Sequence, residues 1–174
     1  KLYNQTIFGL DVFYNHAVGS KGYMLNTYVL FQNMNYGKNY LRNIGVFNTS
    51  NVIGNQEQLG NEYANRSAMG AGNVQPTLGT GNILYAQLGL RFPTFDNGSA
   101  FMPYLTGTYK NFEAINEPSM QYDLGLNYFI NKHYAKITLQ YGTRPIYRFD
   151  SSQDNGIAQN GLKGQLTLQT HIWL

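Results

Sequence analysis

The chain has 174 residues and a formal net charge of +3, and only 12% of its residues are charged, about half the share usual in globular proteins. It has no cysteine and so cannot be a disulfide-bonded scaffold, and no apolar run approaches the roughly 18 residues of a membrane-spanning helix. Its Lys and Arg residues are dispersed, whereas nucleic-acid binding requires a basic patch.

Two strands are predicted in the first 35 residues, because apolar and polar residues alternate there with a period of two. The first runs from about Thr6 to His16, and the second begins at Tyr23, after a glycine-containing turn at 19–22. The segment 35–80 follows. It is rich in Asn and Gly and lacks periodicity, so we predict one long loop, of the length that usually carries a function. A further strand around Leu41 to Phe47 is an alternative.

Two more strands are predicted in the middle of the chain. Asn82 to Phe92 alternates cleanly, and the connection 93–99 reads as a turn. Phe101 to Phe112 is less regular, because Pro103 lacks the N–H that a central strand donates and suits only a strand end or a bulge.

The clearest alternation lies near the C-terminus. Met120 to Asn131 carries large apolar residues on one face and mostly polar residues on the other. A tight turn at Asn131-Lys132 leads into a strand from Ala135 to Tyr141. The polar, glycine-containing stretch 150–160 is predicted to be a loop, and Leu162 to Leu174 the last strand.

Seven strands of about ten residues match the length of strands that cross a membrane at a tilt. The low charge fits as well, because the outer band of a membrane barrel is uncharged and its lumen can be neutral and polar. We therefore predict an all-β protein, an antiparallel transmembrane β-barrel, in which 1–174 is a single barrel domain or the C-terminal portion of one. A soluble β-sandwich or lipocalin-like barrel is the alternative, since its strands alternate equally well.

The connections predict an orientation. Membrane barrels have short periplasmic turns and longer extracellular loops, so 17–22, 93–100 and 131–132 are assigned to the periplasm, and 35–80 and 150–160 to the exterior. Aromatic residues flank the three short turns, as in an interfacial girdle: Tyr14, Tyr23, Phe92, Phe101, Tyr128 and Tyr134.

Seven is an odd number, whereas bacterial single-chain barrels have an even number of strands. We therefore expect the chain to be the C-terminal part of a larger barrel. The alternative is that 35–80 contains an eighth strand, which would make the number of strands even.

The segment 121–141 resembles the closing hairpin of porins. It combines a Gly125-Leu126-Asn127-Tyr128-Phe129 strand, a short turn with Asn131 and His133, and a strand from Lys136 to Tyr141. It is most similar to the phosphate-selective porin O/P-like family of Bacteroidetes. The resemblance covers about the last third of the chain and implies a larger barrel, often of sixteen strands and trimeric, in a Gram-negative outer membrane.

The two faces of the predicted strands suggest a function. The charged residues predicted to line the lumen are Asp11, Arg91, Lys110, Asp123, Lys136, Arg144 and Lys163. Basic residues predominate among them, which favours anions in a water-filled pore. The residues predicted to face lipid are Leu10, Val12, Leu25, Val29, Leu88, Leu90, Leu124, Leu126, Ile137, Leu139, Leu166 and Leu168.

We therefore predict a porin that passes small hydrophilic solutes with a mild anion preference. A structural or accessory barrel subunit that binds a partner through its long loops is the alternative. The expected partners are membrane lipid and lipopolysaccharide, small solutes or anions, and either identical copies in a trimer or other outer-membrane proteins, without nucleic acid.

No enzymatic activity, cofactor or metal site is predicted. The three histidines, His16, His133 and His171, are scattered, and no HExxH, GxSxG or calcium-loop motif occurs.

Overall fold

The computed structural model describes residues 4–38, 40–43, 76–115, 117–131, 134–149 and 157–173. Every regular element in these ranges is a β-strand, and they contain no helix long and apolar enough to cross a membrane. The strands are β1 (Thr6–Val18), β2 (Tyr23–Asn35), β3 (Leu41–Asn43), β4 (Pro76–Gly79), β5 (Gly81–Arg91), β6 (Ala100–Phe112), β7 (Ser119–Asn131), β8 (Ala135–Phe149) and β9 (Ile157–Ile172).

Seven of these strands form one sheet, in the order β1-β2-β5-β6-β7-β8-β9. Every neighbouring pair is antiparallel. The short strands β3 and β4 pair only with each other and lie in the chain between β2 and β5. The predicted all-β class and the seven-stranded antiparallel sheet are thus confirmed. Because seven is odd, the edge strands β1 and β9 run in the same direction.

The register places like residues side by side across the sheet. One row consists of Tyr14, Thr27, Leu88, Leu105, Leu124, Tyr141 and Leu166, and the adjacent row of Phe13, Tyr28, Gln87, Thr106, Asp123, Gly142 and Gln165. Successive side chains of a strand point to opposite faces, so the first row belongs to an apolar face and the second to a largely polar one.

Two details differ from the sequence-based prediction, and a third, at Pro145, has no counterpart in it. β8 continues to Phe149 and β9 begins at Ile157, so the predicted 150–160 loop is wrong for residues 157–160. β8 accommodates Pro145 through a register shift between Pro145 and Tyr147. Part of the alternative strand around Leu41 to Phe47 is present as β3, Leu41–Asn43, which is not part of the seven-stranded sheet. Residues 44–75, which hold the rest of this strand and most of the predicted 35–80 loop, lie outside the described residues.

Pro103, predicted to suit a strand end or a bulge, is the fourth residue of β6. It is paired with Leu126 on the β7 side, whereas the β5–β6 ladder runs only as far as Gly89 and Tyr104. The missing N–H of proline therefore coincides with the point where pairing to β5 stops. On the other side of Pro103, a backbone hydrogen bond from Phe92 N to Phe101 O at 2.8 Å joins the end of β5 to β6 again.

The tight β1–β2 turn depends on glycine. Gly19 and Gly22 have φ values of 66° and 81°, in the left-handed region that residues with a Cβ rarely adopt. This turn fixes the register of the β1–β2 hairpin, from the pair Val18 and Tyr23 next to the turn to the pair Thr6 and Asn35 at the other end.

A small apolar cluster lies at the opposite end of the sheet. Its buried members are Met34, Leu41, Ile83, Phe112, Ala114 and Ile115, and Tyr36 and Leu78 pack against it. Thr80 fixes the two ends of the 35–80 segment together, because its hydroxyl donates to Gly37 O at 2.6 Å and accepts from Tyr36 N at 3.0 Å. The β3–β4 ribbon is thereby held over this end of the sheet.

Candidate functional site

The sheet has an unusual distribution of burial. The face that carries Gln87, Thr106, Asp123 and the other residues of the same phase is called the concave face, and the opposite face the convex face. On the concave face Thr106 is only 5% exposed and Asp123 9%, whereas on the convex face Leu124 is 64% and Leu166 70% exposed. In the middle of the sheet, polar groups are therefore buried and apolar groups exposed.

A cavity of about 780 Å³ opens on the concave face. Its lining includes residues from all seven strands of the sheet, from Asn15 on the edge strand β1 to Gln169 on the other edge strand β9, so the sheet curves around it. Ten of the nineteen lining residues are Asn, Gln or Thr, and three are charged. The cavity is therefore predominantly neutral and polar.

One wall of the cavity is a chain of side-chain hydrogen bonds across three strands. The Tyr85 hydroxyl donates to Gln87 Oε1 at 2.9 Å, Gln87 Nε2 donates to Asn26 Oδ1 at 3.4 Å, and Asn26 Nδ2 donates to Asn15 Oδ1 at 2.7 Å. Each amide here accepts from one neighbour, and Gln87 and Asn26 also donate to the next. The direction of donors and acceptors along this wall is thereby fixed.

The floor is built around Tyr104. Its ring extends from β6 over Gly125 of β7, and its hydroxyl donates to Gln140 Oε1 of β8 at 2.8 Å. Gly125 has to lack a side chain, because a Cβ there would overlap the Tyr104 ring. A glycine next to an aromatic residue on the neighbouring strand thus permits a contact across three strands.

Asp123 lies beside this floor. Its carboxylate accepts from Thr106 Oγ1 at 2.8 Å and from Gln121 Nε2 at 3.3 Å. Gly142, its register partner on β8, leaves room for the carboxylate, since a Cβ at Gly142 would meet Asp123 Oδ1. Asn127 and Thr138 continue the polar lining, and Thr138 Oγ1 donates to Asn127 Oδ1 at 2.6 Å.

Three of the seven charged residues predicted to line a lumen meet in the cavity. These are Arg91, Asp123 and Lys136, and the Arg91 guanidinium lies 5.8 Å from the centre of the Phe129 ring. Asp123 also borders a smaller cavity of about 100 Å³, where Arg144 is part of the lining.

The other three charged residues lie elsewhere on the concave face. Lys110 is buried towards the end that carries the apolar cluster. Asp11 and Lys163 are exposed on the edge strands β1 and β9. That all seven residues line a pore stays a prediction.

All twelve apolar residues predicted to face lipid belong to the convex face by register. Nine of them are exposed, and Leu25, Leu90 and Ile137 are half-buried. Their contact with lipid stays a prediction.

Aromatic rings concentrate at the end of the sheet that carries the tight turns. Tyr23 packs edge-on against Phe92 at 5.6 Å between ring centres, and Phe101 lies 4.8 Å from Tyr128. Tyr14 lies further from this end, level with Leu88, and stacks on His16 at 5.8 Å.

The two described histidines lie on opposite faces of the sheet. His16 belongs to the convex face, and His171 lies on the concave face 5.9 Å from the Trp173 ring. His133 lies outside the described residues. Among the described side chains no three His, Asp or Glu residues are grouped closely enough to hold a metal ion.

Comparison of the chain with models of protein families, with curated proteins and with solved structures finds no match in any of the three. Function is therefore inferred from the chemistry of the two faces.

The neutral residues of the cavity were not singled out by sequence reasoning, which considered charges first. Gln87, Asn127, Thr138 and Gln140 occupy alternate positions of their strands, so the period-two pattern placed them on the same face as the charged residues. Their hydrogen-bond partners required the register.

Proposed function

We propose that the chain is part of a transmembrane β-barrel in a Gram-negative outer membrane, and that this barrel is a porin for passive diffusion of small hydrophilic solutes. The proposal rests on an inverted arrangement of the sheet: in its middle the polar face is buried and the apolar face is exposed. In a water-soluble sheet the apolar face is packed on a core and the polar face is solvated, so a soluble sandwich would leave the exposed leucines of the convex face uncovered. Lipid would cover them.

The height of the apolar surface supports a membrane location. On β7 the convex face runs from Met120 to Ile130 without a charged residue. Ten residue steps of about 3.3 Å give about 33 Å along the strand, which at a tilt of about 40° spans about 25 Å, the height of the apolar band in membrane barrels. The aromatic rings at one end match an interfacial girdle.

The topology favours a barrel larger than this sheet. Because β1 and β9 run in the same direction, closing an antiparallel barrel requires an odd number of further strands. The resemblance of 121–141 to phosphate-selective porin O/P-like proteins agrees with such a barrel, including the sixteen strands and the trimer common among porins.

The charges support a mild anion preference. The charged residues of the cavity lining are two cations, Arg91 and Lys136, and one carboxylate, Asp123, and a basic excess at a water-filled passage attracts anions. The test is the reversal potential of the purified protein in a planar bilayer under a KCl gradient. We expect stepwise conductance with chloride preferred, and a shift towards potassium in Lys136→Glu.

The matched control is Lys21→Glu, which makes the same charge change in the exposed β1–β2 turn and is expected to leave the reversal potential nearly unchanged. A cation preference of the unaltered protein would refute the anion preference. Absence of conductance from protein that has inserted and folded would refute the pore.

A second function is favoured by the apolar cluster at the loop end. Met34, Ile83 and Phe112 belong to the concave face, and residues of the β3–β4 ribbon and the 113–115 connection bury them. A barrel covered at this end would suit an accessory subunit of an outer-membrane assembly. Stable co-purification with a partner protein, together with absence of conductance, distinguishes this function from the porin.

A further inference from the structure

The middle of the cavity differs in chemistry from its turn-side end. Asp123 is level with Gln87 and Thr106, and it is the one charged side chain lining this middle part among the described residues. Arg91 is four residues along β5 from Gln87, about 13 Å away along the strand, and Lys136 is six residues along β8 from Gly142, about 20 Å away. An anion in the middle of the cavity would therefore lie nearer to the Asp123 carboxylate than to Arg91 or Lys136. Arg144 borders the adjoining small cavity and is not part of this lining.

The neutral groups around Asp123 are held in fixed directions. The bonds from Tyr85 through Gln87 and Asn26 end at Asn15, whose Nδ2 group is a donor at the β1 side of the cavity. On the opposite side Asp123 has about four acceptor positions and receives bonds from Thr106 and Gln121. A ligand bound between them would meet a donor on one side and an acceptor on the other.

Aromatic surface lies next to these polar groups. Tyr104 is fixed by its bond to Gln140, and Tyr85 by its bond to Gln87 and by a tilted contact with Tyr28 at 6.0 Å. Phe13 lines the cavity from β1 and is 60% exposed. Rigid rings offer flat apolar contact at a low cost in conformational entropy.

We propose that this cavity is a binding site for a neutral carbohydrate. A sugar carries hydroxyl groups that both donate and accept, and C–H faces that pack on aromatic rings, so it matches both kinds of surface. A purely apolar ligand would displace water from the polar lining without replacing the hydrogen bonds of that water, and an anion would be repelled by Asp123. The volume of about 780 Å³ lies within the roughly 300–1,000 Å³ of small-molecule sites. This inference rests on the proposed function and specifies the class of solute that the pore admits.

The test uses maltose as the probe, with two measurements on the whole chain. In planar bilayers maltose is expected to reduce the potassium chloride current saturably, whereas inorganic phosphate at the same concentrations is not. In equilibrium dialysis of the detergent-solubilised protein, labelled maltose is expected to bind with the same half-saturation. Phosphate that blocks at lower concentration than maltose would overturn the proposal.

Asp123→Asn keeps the shape of the side chain and removes its charge. We expect the half-saturating maltose concentration to rise about tenfold, the effect of losing a hydrogen bond to a charged acceptor. Asp96→Asn, the same change in the exposed β5–β6 connection, is expected to bind maltose normally. Tyr85→Phe serves as the second variant if Asp123→Asn does not fold, and weaker maltose binding is again expected.

The two proposals fail in distinguishable ways. Conductance without a saturable maltose block and without binding in dialysis would overturn the carbohydrate site and leave the porin. Maltose binding in dialysis without conductance would support the site and refute the porin. Variants that bind maltose as tightly as the unaltered protein would overturn the assignment of Asp123 and Tyr85 to the site.

Discussion

Replacing Leu124 with Arg tests whether the convex face contacts lipid. Leu124 lies near the middle of β7 and is 64% exposed. In a water-soluble protein such an exposed position tolerates substitution within about 0.5 kcal/mol. On the lipid face of a membrane barrel an arginine near the midplane costs about 2–4 kcal/mol and falls to about 0–1 kcal/mol near the interfaces. The two environments therefore predict clearly different free energies of unfolding.

Ile130→Arg is the matched control. Ile130 lies on the same face, six residues along the strand from Leu124 and next to the tight turn, which is about 20 Å away along the strand. The free energy of unfolding would be measured by denaturant titration in phospholipid vesicles, monitored by the fluorescence of Trp173, the one tryptophan of the chain. Equal values for the two variants, within about 0.5 kcal/mol, would refute the placement of this face in lipid.

Two further substitutions test packing within the sheet. Gly125→Ala displaces the Tyr104 ring and its bond to Gln140, so we expect a loss of about 1–3 kcal/mol in the free energy of unfolding; Gly107→Ala, where a Cβ meets nothing within 4 Å, should cost less than half as much. Thr143→Val removes the bonds that the Thr143 hydroxyl makes with the backbone of Tyr122, at 3.0 Å and 3.2 Å, and is expected to cost about 1–2 kcal/mol in the same titration. An unchanged midpoint for Gly125→Ala would contradict the described position of the Tyr104 ring.

Alternation was sufficient to predict which face each strand residue occupies. Met120 to Asn131 is the clearest case, because its apolar residues recur at every second position and the strand ends where predicted. A period of two is imposed by the pleat itself and does not depend on neighbouring strands. The fold class and the two faces could therefore be predicted from sequence.

The positions of the prolines within the strands and the hydrogen bonds inside the cavity could not be predicted from sequence. Pro103 was predicted to suit a strand end or a bulge, and β6 accommodates it through loss of pairing to β5. Pro145 lies within β8 next to a register shift. The bond from Gln87 to Asn26 joins residues 61 positions apart. Such contacts follow from strand order and register, which a one-residue slip would change completely.

The most direct test of the inverted arrangement is a spin-label scan of β7 in lipid vesicles, one cysteine at a time from Ser119 to Asn131. We predict that labels at even-numbered positions, such as Leu124, collide mainly with lipid-soluble oxygen, and that labels at odd-numbered positions, such as Asp123, collide mainly with a water-soluble relaxing agent. Even-numbered positions that are accessible to the water-soluble agent along the whole strand would contradict a transmembrane sheet.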